Sequence, residues 1–240
     1  MSAHAATILG HLDAVAKERA RRASAPDLAA RVQALKTYQQ RRFAHTYADL
    51  LATSRYGPAA RFFLEELYGP RDYSDRDAQF ARVVPALVRL FPEQIVSTVN
   101  TLAELHALSE LLDSEAGSHL ASTQVDAMAY VRAWQATGHA SERERQIELT
   151  LDVGESLDKL TRNPLLRHTL RMMRGPARGA GLGELQQFLE TGFDTFKAMG
   201  SAREFLAIIG TRERTLARAL FGAALDAEGH LGDIALGQLP

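Results

Sequence analysis

Between Leu28 and Leu51 the apolar positions Leu28, Val32, Leu35, Phe43, Tyr47, Leu50 and Leu51 recur at mostly three- and four-residue steps, the period of one helix face. This spacing predicts a long helix to about Ser54, with Pro26 ending the element before it and Asp27 as its N-cap. Ahead of it, Ile8, Leu12 and Val15 share a face of a helix from Thr7 to Arg22, whose C-terminal end carries Lys17, Arg19, Arg21 and Arg22, where cations suit the helix dipole. Pro58 sits where a first-turn proline belongs and opens a short helix through Tyr68, closed by Gly69-Pro70.

Three capping-box patterns, Ser74 to Asp77, Ser141 to Glu144 and Ser201 to Glu204, each precede an amphipathic stretch. Pro85 falls inside the first of these and is expected to kink it or end it. Phe91-Pro92 opens a helix from about Glu93 to Glu115, Asn163-Pro164 starts another, and Gly138 and Gly200 stand at C-cap positions. The pattern predicts an all-α protein of nine or ten helices in an irregular bundle with no sheet. Gly154, Gly192 and Gly210 interrupt helical patterns, and close helix crossing is the expected reason. The Gly-rich stretch 175–183 is read as a linker between a main helical domain, 1–174, and a C-terminal helical pair, 184–240, docked on the same core.

Composition agrees with helices: there are 33 Leu against 16 Ile plus Val, and no Asn-Gly or Asp-Gly turn. No apolar run is long enough to span a bilayer. The first residues lack the basic-then-apolar pattern of a secretory signal, so a cytoplasmic protein is expected. The formal net charge of -1 hides a gradient. Residues 1–45 carry eight cations against three acids, whereas Arg89 to Arg132 enclose six acids and no Lys or Arg. Mutual pairing of these two regions is the plain expectation. A nucleic-acid surface is disfavoured, because no helix-turn-helix, zinc-finger or RNP pattern accompanies the basic segment.

Candidate chemistry concentrates between Arg55 and Asp77. Arg61 and Glu65 are i, i+4 partners on a helix, and Phe62-Phe63-Leu64 cannot share one narrow stripe, so burial on several sides is expected, with Glu66 drawn inward beside an Arg. A buried carboxylate serves either acid-base chemistry or a structural ion-pair network. The string Phe62-Phe63-Leu64-Glu65-Glu66-Leu67-Tyr68-Gly69-Pro70-Arg71-Asp72, followed by Arg76-Asp77, resembles the signature of the bacterial FFLEELY-motif proteins. That resemblance implies no activity; it marks Arg61, Phe62, Phe63, Glu65, Glu66, Tyr68, Arg71, Asp72, Arg76 and Asp77 as a ligand site or a structural keystone.

Other chemistry has little support. Cysteine is absent, as are Glu-x-x-His, His-Glu-x-x-His and the Gly-x-Ser-x-Gly elbow, so no metal, no cofactor and no catalytic residue is expected. His106, on an apolar face with Val99 and Leu102, reads as a core histidine bonded to a neighbour. His168 shares a face with Leu165 and Met172, but nothing else points to haem. The leading reading is a non-enzymatic binding protein for a protein partner or a small amphipathic ligand held between helices. An enzyme or sensor using the cluster at residues 61–77 is the alternative, and self-association is open to such a helix-rich chain.

Overall fold

The computed structural model describes residues 3–67, 73–223, 237 and 239–240. Among them there is no strand, and the architecture is an all-α bundle. Its helices are α1 (Ala3–Ala23), α2 (Pro26–Thr46), α3 (Ala48–Ala52), α4 (Gly57–Phe62), a π-helical turn (Phe63–Leu67), α5 (Ser74–Leu90), α6 (Glu93–Ser118), α7 (Ala127–Thr137), α8 (Ala140–Leu160), α9 (Pro164–Met172), α10 (Arg174–Gly179), α11 (Gly183–Met199) and α12 (Arg203–Gly222). Among the described residues nine of these helices have nine or more residues, and α3, α4 and α10 are single short turns. No helix among them is long and apolar enough to cross a membrane.

The long helix α6 is the axis. It packs against α1, α2, α7 and α8, while α12 lies on α8 and α7, and α11 lies on α4 and α5. Three clusters fill the spaces. Ile8 and Leu12 of α1 meet Val84 of α5 and Val96 and Ala103 of α6. Leu35 and Tyr38 of α2 meet Tyr130 and Trp134 of α7 and Leu216 and Leu220 of α12. Phe43 and Tyr47 meet Phe62 and Phe63, Phe196 of α11 and Phe205 of α12. Each such aromatic, fully buried, contributes roughly 1.5–3 kcal/mol of transfer free energy. Residues 174–179 of the Gly-rich stretch are helical, in α10, and a turn follows at Gly181, where φ is 70°.

Small residues set the crossings. A Cβ on Gly154 would lie 2.4 Å from a Leu206 methyl, and one on Gly210 would lie 3.0 Å from a Leu151 methyl, so α8 and α12 meet closely at both, as the interrupted patterns imply. A Cβ on Gly192 would come 3.0 Å from the Phe62 ring. Gly138 and Gly200 end α7 and α11 with φ of 67° and 77°, the left-handed conformation that glycine adopts without penalty.

Several local expectations are corrected. Pro26 opens α2 at its first turn instead of closing α1, and Asp27 lies within that turn while Ala25 takes the cap position without a side-chain bond. The long helix breaks at Tyr47, and only the short α3 follows. Pro85 does not end its helix but lies inside α5, the case in which a kink is expected. In none of the three capping boxes does the serine stand at the N-cap, although Ser201 Oγ accepts from the Arg203 N–H at 3.4 Å. Their acids are engaged elsewhere: Asp77 with Arg19 and His106, Glu144 with Arg214, and Glu204 with Tyr56 and Arg55. A cross-bundle ion pair thus displaces the local bond. Asn163 does cap α9, its side-chain oxygen accepting from the Leu165 N–H at 3.0 Å.

Candidate functional site

A cavity of about 180 Å³ runs between the helices, lined by residues of α1, α2, the π turn, α5, α6, α7, α8, α11 and α12. This far exceeds the roughly 10–15 Å³ that one water requires. Much of the lining is apolar, including Phe63, Phe80, Val99, Leu102, Ile147 and Phe188. Polar and charged side chains line it as well, and they belong to two clusters.

The first cluster joins the basic N-terminal helices to the acidic α6. Arg19 Nη2 is 2.7 Å from Asp77 Oδ2, and His106 Nε2 is 2.8 Å from the same oxygen. Lys36 Nζ is 2.7 Å from Glu110 Oε1, Arg22 bonds the other Glu110 oxygen, and Gln39 donates to Asp113 at 3.0 Å. Outside the cavity Arg21 pairs with Glu115 at 3.0 Å, and Arg31 donates to the Gly117 carbonyl. The opposed charges of the two regions therefore neutralise each other within the fold. Burial alone would raise the Glu110 carboxyl, but Lys36 and Arg22 outweigh it and hold the group at about 2. Burial opposes the ionisation of Asp77 too, and the hydrogen bond and charge of His106, with Arg19 and Arg76, reverse it, leaving that carboxyl below its ordinary value.

The second cluster lies where α2, α7, α8 and α12 converge. Arg42 pairs with Glu213 at 2.5 Å, and Tyr47 donates its hydroxyl proton to the same carboxylate oxygen at 2.7 Å. Arg143 stacks over the Trp134 ring at 4.3 Å and donates to Gln146 Oε1, whose amide nitrogen donates to Ser109. Tyr130 is fully buried within the fields of Arg42, Arg143 and Glu213, and burial pushes its hydroxyl upward against the pull of the two guanidiniums. Arg42 Nε is buried and has no hydrogen-bond partner among the described residues, and the Trp134 indole N–H lies against the Tyr130 hydroxyl.

The motif segment contributes one edge of this space. Phe63, Arg76 and Asp77 line it. Phe62 is buried and is not part of the lining, but it stacks at 5.5 Å on Phe188, which is. Arg76 lies over the Tyr73 and Phe188 rings at 4.1 and 4.6 Å and donates to the Glu66 carbonyl at 3.0 Å. Its burial lowers the guanidinium pKa, only partly offset by Asp77, Tyr73 and Glu66. The half-buried Glu66 carboxylate is 3.9 Å from Arg76, whereas Glu65 is exposed. Arg61 donates to the Leu51 carbonyl and not to Glu65, because the π turn widens the spacing on which an i, i+4 pair depends. Tyr68, Arg71 and Asp72 lie outside the described residues.

His106 is bonded to a neighbour, Asp77, as its position implied, but it is half-buried and lines the cavity instead of the core. His168 is exposed on α9, a helix with no buried residue. No group of three His, Asp or Glu side chains among the described residues could hold a metal. Arg143, Trp134, Gln146 and Glu213 were not singled out by sequence. Their only signal is that Trp134 is the sole tryptophan and lies four residues from Tyr130, on one face of a helix.

A family model described as Domain of unknown function (DUF8198) matches residues 18–227. No curated protein and no solved structure matches the chain.

Proposed function

From the premise that the chain belongs to the DUF8198 domain family, we propose that it is a binding protein that holds a small amphipathic ligand between its helices. The observation that carries this reading is the cavity of about 180 Å³, whose lining combines apolar and aromatic side chains with charged ones. Ligand pockets combine these features: apolar surface provides most of the affinity, and a few fixed polar groups set orientation. The motif segment then has both roles at once, since Phe63 is part of the core and part of the wall. We take the segment to be the FFLEELY signature of bacterial proteins and place the protein in the cytoplasm.

Nucleic acid fits less well, because Arg19, Arg21, Arg22 and Lys36 are turned onto Asp77, Glu110 and Glu115 and are not free to meet phosphates. The test is titration with a fluorophore that brightens in apolar surroundings. One saturable site is expected per chain. Ala217 lines the cavity and is only half-buried, so Ala217→Phe should fill space there and weaken binding roughly tenfold while the protein stays folded. Equal binding by both proteins would place the dye elsewhere and refute the reading.

A further inference from the structure

The charges that line the cavity specify what kind of head group it accepts, an inference that rests on the ligand-binding reading above. Among the described residues of its lining there are four cations and four acids. They compensate one another in place. Lys36 lies 2.7 Å from Glu110 and 3.7 Å from Asp113, Arg42 lies 2.5 Å from Glu213, and Arg76 lies 3.8 Å from Asp77. The fourth cation, Arg143, stacks over Trp134 and donates to Gln146 Oε1 and to the Leu112 carbonyl. A ligand with a charge of its own would give up its hydration for surroundings whose charges are already engaged, and burying such an ion is costly. A neutral head group meets no such penalty.

His106 supplies a polar atom that is not engaged. Its Nε2 is 2.8 Å from Asp77 Oδ2 and 3.5 Å from Arg19 Nη2. Asp77 stays ionised and can only accept, so Nε2 carries the proton, and in the neutral ring Nδ1 is then a bare acceptor. Nδ1 has no hydrogen-bond partner among the described residues, and it is not sealed within the protein as Arg42 Nε is. The His106 side chain is 21% exposed and lines the cavity, as do Val99 and Leu102 before it on the same face of α6. We propose that the cavity binds a neutral molecule with an apolar chain and a hydroxyl head, the hydroxyl donating to His106 Nδ1 and the chain lying along Phe80, Val99 and Leu102. Phe80 and Val99 pack against one apolar cluster, so the surface offered to the chain is continuous with the core.

Calorimetric titration of the full chain at pH 7 tests this with decanol, decyl methyl ether, decanoate and decylamine, probes with one chain and different heads. Decanol should bind roughly tenfold more tightly than decanoate and decylamine, which are both ionised. It should also bind several-fold more tightly than the ether, which has no proton to donate. His106→Phe keeps a ring and removes the acceptor, while Asp77 retains Arg19. In that variant decanol should fall to the level of the ether, and the ether should stay within about twofold of its value in the unaltered chain. If the variant fails to fold, the difference between alcohol and ether in the unaltered chain decides. Decanoate or decylamine binding as tightly as decanol would overturn the neutral-ligand assignment while leaving a ligand cavity. Equal binding of alcohol and ether, or unchanged decanol binding by the variant, would overturn the contact with His106. Failure of every decyl compound to bind would overturn the cavity reading beneath it.

Discussion

Glu110 shows how a single residue can be visible in sequence while its role is not. It counted as one of six acids in a stretch without cations, which pointed to pairing with the basic N-terminal region, and Arg22 and Lys36 do pair with it. Nothing in the spacing indicated that it would be 4% exposed. Held at about 2 in place of 4.5, its carboxyl contributes about 3 kcal/mol of stability at neutral pH. The folded value is the depressed one, so this contribution is complete above about pH 5 and is lost as the pH falls toward 2. Urea denaturation should show the protein about 2 kcal/mol less stable at pH 3 than at pH 6 from this group alone. Glu110→Gln should cost about 3–5 kcal/mol at pH 7, because Arg22 and Lys36 stay buried without their carboxylate, and should flatten that acid limb. An unchanged limb in the variant would remove Glu110 from the account. The three capping boxes mislead for a related reason: Ser-x-x-Asp/Glu specifies a local bond, but Asp77, Glu144 and Glu204 all have a cation within reach across the bundle.

At the scale of elements, helix identity was the most legible part. Periodicity and the prolines located α1 and α6 within a few residues of their ends, and the starts of α2 and α9, since an amphipathic stripe and a proline each constrain the backbone directly. The break at Tyr47 and the π turn at Phe63–Leu67 were not legible. Both arise where aromatic side chains need positions that a continuous α-helix would not give them: Tyr47 reaches Glu213, and Phe63 reaches Phe196 and Phe205. Gly117 is decisive for the α2–α6 crossing. A Cβ there would lie 2.5 Å from a Val32 methyl and 3.3 Å from the Val32 Cα, so the β-branched side chain cannot rotate clear of it. Gly117→Ala should destabilise the protein by about 1–2 kcal/mol by overpacking, against a helix-propensity gain of at most about 1 kcal/mol. Chemical denaturation reads the sign, and a stabilised variant would show that the crossing has room.

For the whole molecule, the cavity is what sequence could not show. Its wall is assembled from nine elements, and Arg42 and Glu213 are separated by most of the chain. Periodicity reports which face of a helix is apolar, but not whether the facing helices fill the space between them. The motif directed attention to residues 61–77, and of the seven marked residues that are described, Phe63, Arg76 and Asp77 line the cavity. Most of the polar wall comes from elsewhere. A ligand that fills a cavity of this size would stabilise the fold by mass action. Native mass spectrometry of the chain purified from its natural host measures occupancy directly. The account predicts a fraction of molecules heavier than the bare chain by one small molecule, lost on collisional heating. A bare-chain mass in every charge state would contradict it.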